Sequence, residues 1–304
     1  MFDKIIKFVF FGNYFIGVLA IALSVETVVQ LRLPFNSFEY YALLFCGTIM
    51  YYTYAYAGVL QSNSVTNARS VWYAQHQTLV KYSQIILLLL CLVFGSLLFL
   101  NTAGNLKFLR WIYWLIIIVI GLAGILYYGL LPRSLVKLNL RNTGWLKAFV
   151  IGFVWAGCVS LLPIIMLQLE RGPYFAEPVV AGWLFIKNWM FCTVNAIMFD
   201  MKDYDDDTNA QLKTFVVRFG LRKTILFVLT PLCLVGIFFT LVFAGYRHFT
   251  FLSILFNVLP FLLLLAVTYT MQRQKNIFFY LIVIDGLVFI KAICGIAGMA
   301  FVNN

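Results

Sequence analysis

Long apolar runs constrain this chain more than any other feature. Residues 85–100, 111–131 and 249–268 contain no charged side chain at all. A helix needs about 20 apolar residues to cross the hydrocarbon core of a bilayer. In lipid only helices and closed barrels satisfy every backbone hydrogen bond, and none of these runs shows the two-residue alternation of a barrel strand. The expected fold class is therefore all-α, a polytopic helical membrane protein forming one integral membrane domain over residues 1–304. Composition agrees: 11% of residues are charged, against about 25% in soluble globular domains.

Hydropathy and polar breaks predict about nine transmembrane helices, near 8–30, 38–60, 79–100, 108–131, 145–169, 179–199, 223–245, 248–270 and 276–301. No small-residue cleavage site follows the first apolar run, so it reads as a span and not as a signal peptide. The six cysteines are scattered singly through apolar segments and read as small buried hydrophobes.

With these spans, fifteen of the 22 basic residues fall on the side of the N-terminus and five on the other, with Lys187 and Lys291 inside spans. By the positive-inside rule this places the N-terminus and the 200–222 connection in the cytoplasm. The formal charge of +11 then reflects topology and contact with anionic lipid headgroups. No basic domain stands outside the membrane to bind nucleic acid.

Five of the eleven acidic residues crowd into the stretch from Asp200 to Asp207. If the sixth span continues past its exit, Asp200, Asp203 and Asp207 lie within about 60° of one another on one helix face. Like charges at that spacing repel, and a bound cation would relieve them. Hard oxygen ligands without His or Cys favour Mg²⁺ or Ca²⁺. A Ca²⁺ loop of the EF-hand kind needs a glycine at its sixth position and a glutamate at its twelfth, and DYDDDTNAQLKT has neither. On spacing alone, a hydrated acidic patch that keeps the loop out of the membrane is an equally simple reading.

The run Asp200-x-x-Asp203-x-x-x-Asp207, followed by Lys213-Thr214-Phe215-Val216-Val217-Arg218-Phe219-Gly220, resembles the second aspartate-rich motif of the UbiA superfamily of intramembrane prenyltransferases. Tyr127-Tyr128, the basic stretch to Arg141 and the glycine-bearing helix through Gly152 resemble its fourth and fifth helices. The resemblance implies a UbiA-like bundle that binds a prenyl diphosphate through Mg²⁺, ionises it, and joins the prenyl group to an aromatic or other lipophilic acceptor. It implies Asp200, Asp203 and Asp207 as catalytic metal ligands. Asn63, Asn67, Arg69, Arg133, Lys213 and Arg218 become candidates for holding the diphosphate.

The chain also departs from that family. Its first motif, N-D-x-x-D-x-x-x-D, belongs after the second span. There this sequence keeps Asn63 but has Ser64, Asn67 and Val71 in place of the three acids. The tyrosine–lysine pair Y-x-x-x-K is altered as well, since Pro132 holds the lysine position counted from Tyr128 and Arg133 follows. Asp285 lies inside the ninth span and receives no role, so no second acidic site facing the cluster is expected. Two readings follow: an enzyme working through the remaining half-site, or a scaffold that keeps a lipid or diphosphate site without turnover. A transporter fits less well, because the charges gather at one mouth and no repeated halves are evident.

Overall fold

The computed structural model of the protein describes residues 2–54, 56, 68–128, 144–172, 177–209, 211–273 and 275–302, the side chains of residues 2, 3, 205 and 206 excepted. Among the described residues there is no strand. The helices are α1 (Phe2–Phe11), α2 (Tyr14–Gln30), α3 (Phe38–Tyr54), α4 (Ala68–Gln75), α5 (Gln77–Thr102), α6 (Trp111–Tyr128), α7 (Leu146–Arg171), α8 (Pro178–Lys202), α9 (Tyr204–Asn209), α10 (Phe215–Phe219), α11 (Leu221–Tyr246), α12 (Phe251–Thr270) and α13 (Phe279–Met299).

Six of these, α5, α6, α7, α11, α12 and α13, are long and apolar enough to cross a membrane, and α1 with α2 makes a seventh if that pair, bent by 56°, is one span. The other two expected spans also overlap helices. In α3 only 17 residues are described, and α8 carries the polar Lys187, Asn188 and Asn195 along its length. Length and apolarity thus support six or seven of the nine expected spans. Each of these polar side chains of α8 has a partner inside the bundle: Lys187 donates to Glu26, Asn188 to Ser160 Oγ and Asn195 to the Ile284 carbonyl.

Helix α8 packs between α7 and α11, and the contacts continue through α12 and α13 to α2, which touches α7 at its π-turn, Gly157–Leu161. Six helices therefore close a ring. Outside it, α3 and α5 pack on one another beside α2, and α6 packs on α7. The share of the apolar window buried is 17% in α5 and 11% in α6, against 56% in both α7 and α13. The outer pair turns its leucines and isoleucines to lipid, while α7 and α13 form the interior walls.

A glycine sets how closely α7 approaches α8. A Cβ on Gly152 would stand 2.9 Å from the backbone nitrogen of Thr193, so only a bare Cα lets α7 lie against α8, as small residues do at membrane helix interfaces. A break between α1 and α2 is also tied down. Asn13 sits there with φ 66°, and the Phe11 carbonyl freed by the break accepts from Arg69 Nε at 3.1 Å and Nη2 at 2.9 Å. Asn13 in turn accepts from Arg69 and donates to Thr53 Oγ1 at 3.1 Å and to the Tyr73 hydroxyl at 3.2 Å.

Deep in the ring lies a second set of charges. Glu26 on α2 accepts from Lys291 of α13 at 2.5 Å and from Lys187 of α8 at 3.3 Å. Lys187 also donates to Gln30 at 3.0 Å and to Asn257 of α12 at 3.1 Å. Lys187 therefore faces this cluster, which joins four helices at one level.

Candidate active site

The aspartate cluster forms where α8 ends. The Asp203 amide still donates to the Phe199 carbonyl at 3.3 Å, and the Asp207 amide donates to the Asp203 carbonyl at 2.7 Å. Helical rotation therefore carries across the break into α9. Asp200 and Asp207 arrive on one face, as their spacing predicts. What holds them together is a side chain from another helix. Lys147, at the start of α7, donates to Asp200 Oδ1 at 3.0 Å and to Asp207 Oδ2 at 2.9 Å. The close contact at Gly152 fixes α7 at the distance from α8 that this bridge requires.

Asp200 is buried, and among the described residues its Oδ2 has no hydrogen-bond partner. It lies one residue beyond the expected span, and burial pushes its carboxyl up to about 7 despite the pull of Lys147. Asp203 is more open and pairs with Lys202 at 2.9 Å.

These groups line a cavity of about 190 Å³. Its wall carries Asp200, Asp203, Lys147 and Lys202 together with Arg69, Asn13 and Asp285. Asp285 thus shares the cavity with Asp200 and Asp203, although among the described residues no three acids gather into a second metal-binding group. The residue follows a π-turn, Phe279–Ile284, at the start of α13, a feature frequent at functional sites. Asn195 of α8, itself on the cavity wall, donates to the Ile284 carbonyl at 3.0 Å and so steadies the turn that presents Asp285. Asp285 is 4% exposed and shares the cavity wall with Arg69 and Lys202.

The remaining candidates divide. Arg69 lines the cavity, but its guanidinium is engaged by Phe11 and Asn13 and lies 4.6 Å over the Tyr56 ring. Lys213 and Arg218 are exposed and are not on the cavity wall. The segment that holds them is shaped by its own caps: Thr214 Oγ1 accepts from the Val217 amide at 3.3 Å, and Gly220 turns the chain with φ 77°. Asn63, Asn67 and Arg133 lie outside the described residues.

A second cavity, of about 530 Å³, opens among α3, α5, α6 and α7, and its lining is almost wholly apolar. Tyr52, Ile151 and Trp155 belong to both cavities. Trp155 Nε1 donates to the Tyr52 hydroxyl, so the partition between the charged space and the greasy one is a hydrogen-bonded pair of aromatic side chains.

Whether a divalent cation suits this site turns on the donors present. Among the described residues no three His, Cys, Asp or Glu side chains come together as a metal-binding group. Mg²⁺ asks for less, usually one or two carboxylates together with substrate phosphate oxygens and water. Asp200 Oδ2, which lacks a partner among the described residues, and the open carboxylate of Asp203 meet that need.

Two residues of the site had no role in the sequence reading. Lys147 entered it only as one of the basic residues that set orientation, since nothing in the chain ties it to Asp200. Asp285 did carry a signal, because an ionisable group inside a span is costly and marks function more often than not.

A family model described as the UbiA prenyltransferase family matches residues 77–293. The match takes in Lys147, the aspartate cluster and Asp285, and begins beyond the 63–71 segment whose acids are missing. No curated protein and no solved structure matches the chain. With more than half its length covered by that model and its acids gathered at the mouth of a helical bundle, the chain belongs to the UbiA prenyltransferase family.

Proposed function

We propose that this protein is an integral membrane prenyltransferase that moves a prenyl group from a prenyl diphosphate to an aromatic or other lipophilic acceptor, with Mg²⁺ at the aspartate cluster. The observation that carries this reading is the shared wall of Tyr52, Ile151 and Trp155 between a charged cavity and an apolar one. A ligand that fills both spaces has a small ionic head and a long hydrocarbon tail.

Asp200 and Asp203 would hold the cation, with Asp207 steadying the cluster through Lys147. Bound there, Mg²⁺ contributes positive charge where the diphosphate accumulates negative charge. Lys202 and Lys147 line the same space and add fixed positive charge against the departing group. Arg69 lines it too, braced by the α1–α2 break. Leaving-group departure breaks the bond between the allylic carbon and the diphosphate oxygen, and the electron pair goes with the diphosphate. Aromatic and aliphatic walls of the second cavity keep water from the carbocation left behind. The excess of basic residues on the side of the cluster supports a cytoplasmic site and N-terminus.

The test is binding of geranylgeranyl diphosphate to the protein in nanodiscs, with and without Mg²⁺, beside Asp203→Asn. Tight binding that needs Mg²⁺ and weakens in the variant is the expected result. Binding that is absent, or indifferent to both metal and variant, would sink the proposal and leave a UbiA-like scaffold without its chemistry.

A further inference from the structure

We propose that Lys147 is a built-in cation that occupies a position otherwise open to a metal ion, so that this site works with one divalent cation fewer than its acids suggest. The inference rests on the prenyl diphosphate reading and specifies how that site is charged.

Three observations support it. First, the ammonium of Lys147 lies 3.0 Å from Asp200 Oδ1 and 2.9 Å from Asp207 Oδ2, on the wall of the charged cavity. A compact ammonium with three donors can serve two carboxylates at once. Second, the lysine is not free to swing away. It is largely buried, and its helix is pressed on α8 at Gly152, where any side chain would strike Thr193. Third, the segment 63–71, which resembles the family's first acidic motif, has Ser64, Asn67 and Val71 where that motif has acids. A site that has lost those carboxylates has less negative charge with which to hold metal.

Electrostatics then sets the division of labour. Two carboxylates forced together in a low-dielectric setting repel strongly, and Lys147 cancels that repulsion with a charge already on the chain. A divalent ion approaching Asp207 would meet an ammonium within ion-pair distance. Asp200 Oδ2 takes no part in this bridge and, among the described residues, has no hydrogen-bond partner. With Asp203, which pairs with the more exposed Lys202 at 2.9 Å, it is the half of the cluster outside the Lys147 bridge. Asp207 and one oxygen of Asp200 belong to the lysine, and the other oxygen and Asp203 to the metal.

The experiment counts bound Mn²⁺ by electron paramagnetic resonance on the full chain in nanodiscs, with geranylgeranyl diphosphate present. Lys147→Met should take up one more Mn²⁺ per chain than the wild type, and Lys147→Arg should not. The extra ion should vanish in Lys147→Met/Asp207→Asn, which locates it. Equal counts in the wild type and Lys147→Met overturn the inference. Asp207→Asn by itself gives a reading that does not depend on removing the lysine. If Asp207 serves Lys147, its Mn²⁺ count and affinity match the wild type; if it is a metal ligand, one or both fall, and the inference fails. Diphosphate binding measured on the same samples separates the two proposals. Its absence defeats the prenyltransferase reading, while the change in metal count still decides the role of Lys147.

Discussion

Glu26 and Asp200 are both carboxylates sunk among lysines, yet their surroundings differ in one respect. Around Glu26 each partner is matched by another: its two oxygens meet Lys187 and Lys291, and Lys187 finds three acceptors in Glu26, Gln30 and Asn257. Gly295 packs so closely there that a Cβ would stand 2.6 Å from Glu26 Cγ. Around Asp200 the pattern is left open, with one oxygen on Lys147 and the other, among the described residues, without a partner in the wall of a cavity. A closed cluster stabilises a structure; an open one awaits a ligand. Buried charge alone does not mark a functional site, whereas buried charge with an unmet valence does.

The largest effect should come from breaking the closed cluster. Glu26→Gln leaves two buried ammonium groups without their counter-charge, and removing one partner of a buried pair costs about 3–5 kcal/mol. Thermal or detergent-induced unfolding should register that loss, with much of the protein failing to fold. A Glu26→Gln protein that melts like the wild type but no longer binds geranylgeranyl diphosphate would reverse the comparison and make Glu26 part of the site.

Next in size is Asp200→Asn, which alters the open cluster. Asp207 still holds Lys147 in this variant, so melting should change little. Loss of one buried charge-assisted contact is worth about 3 kcal/mol, or on the order of a hundredfold in affinity. Titration of geranylgeranyl diphosphate in the presence of Mg²⁺ measures it. Equal losses of stability at Asp200 and Glu26 would erase the distinction between the two clusters.

A smaller effect is expected at Asp285, and its two parts should have opposite signs. Among the described residues Asp285 makes no hydrogen bond or ion pair, though it is buried in the cavity wall. A polar group left in that state is destabilising, by roughly 1–3 kcal/mol. Asp285→Leu, close in size and without a polar group, should therefore raise the melting temperature while lowering prenyl transfer, the trade expected where a residue is kept for function. A stabilised variant with undiminished transfer would show that Asp285 merely lines the space.

These contrasts also show how much the sequence could disclose. Apolar runs gave the helical class, and 200, 203 and 207 gave the cluster, because both depend on local periodicity. The Lys147 bridge depends on how closely α7 and α8 approach, and a lone glycine at 152 does not announce which helix it will touch. Lys213 and Arg218 follow the aspartates closely in the chain and so seemed candidates to reach the same ligand. Thr214 and Gly220 turn that segment along its own course, and both side chains end up exposed. Six or seven spans are supported by length and apolarity, and the polar residues of α8 show why such a count runs low. A helix that carries Lys187, Asn188 and Asn195 to partners inside the bundle cannot also be uniformly apolar.

The smallest predicted effect tests whether the open cluster continues into the apolar chamber as one site. Gly121 of α6 lines that chamber, and a Cβ built there meets nothing within 4 Å. Gly121→Leu should therefore fold normally and fill space in which a prenyl tail would lie. A methylene gained or lost in an apolar pocket is worth about 1–3 kcal/mol, so geranylgeranyl diphosphate should lose about tenfold in affinity relative to geranyl diphosphate. The shorter ligand ends before the obstruction and should bind as before. Were both ligands weakened alike, the chamber would be acting on the head of the ligand and not on its tail. Were neither affected, the tail would run elsewhere, and the pairing of charged and apolar cavities that underlies the proposed function would lose its second half.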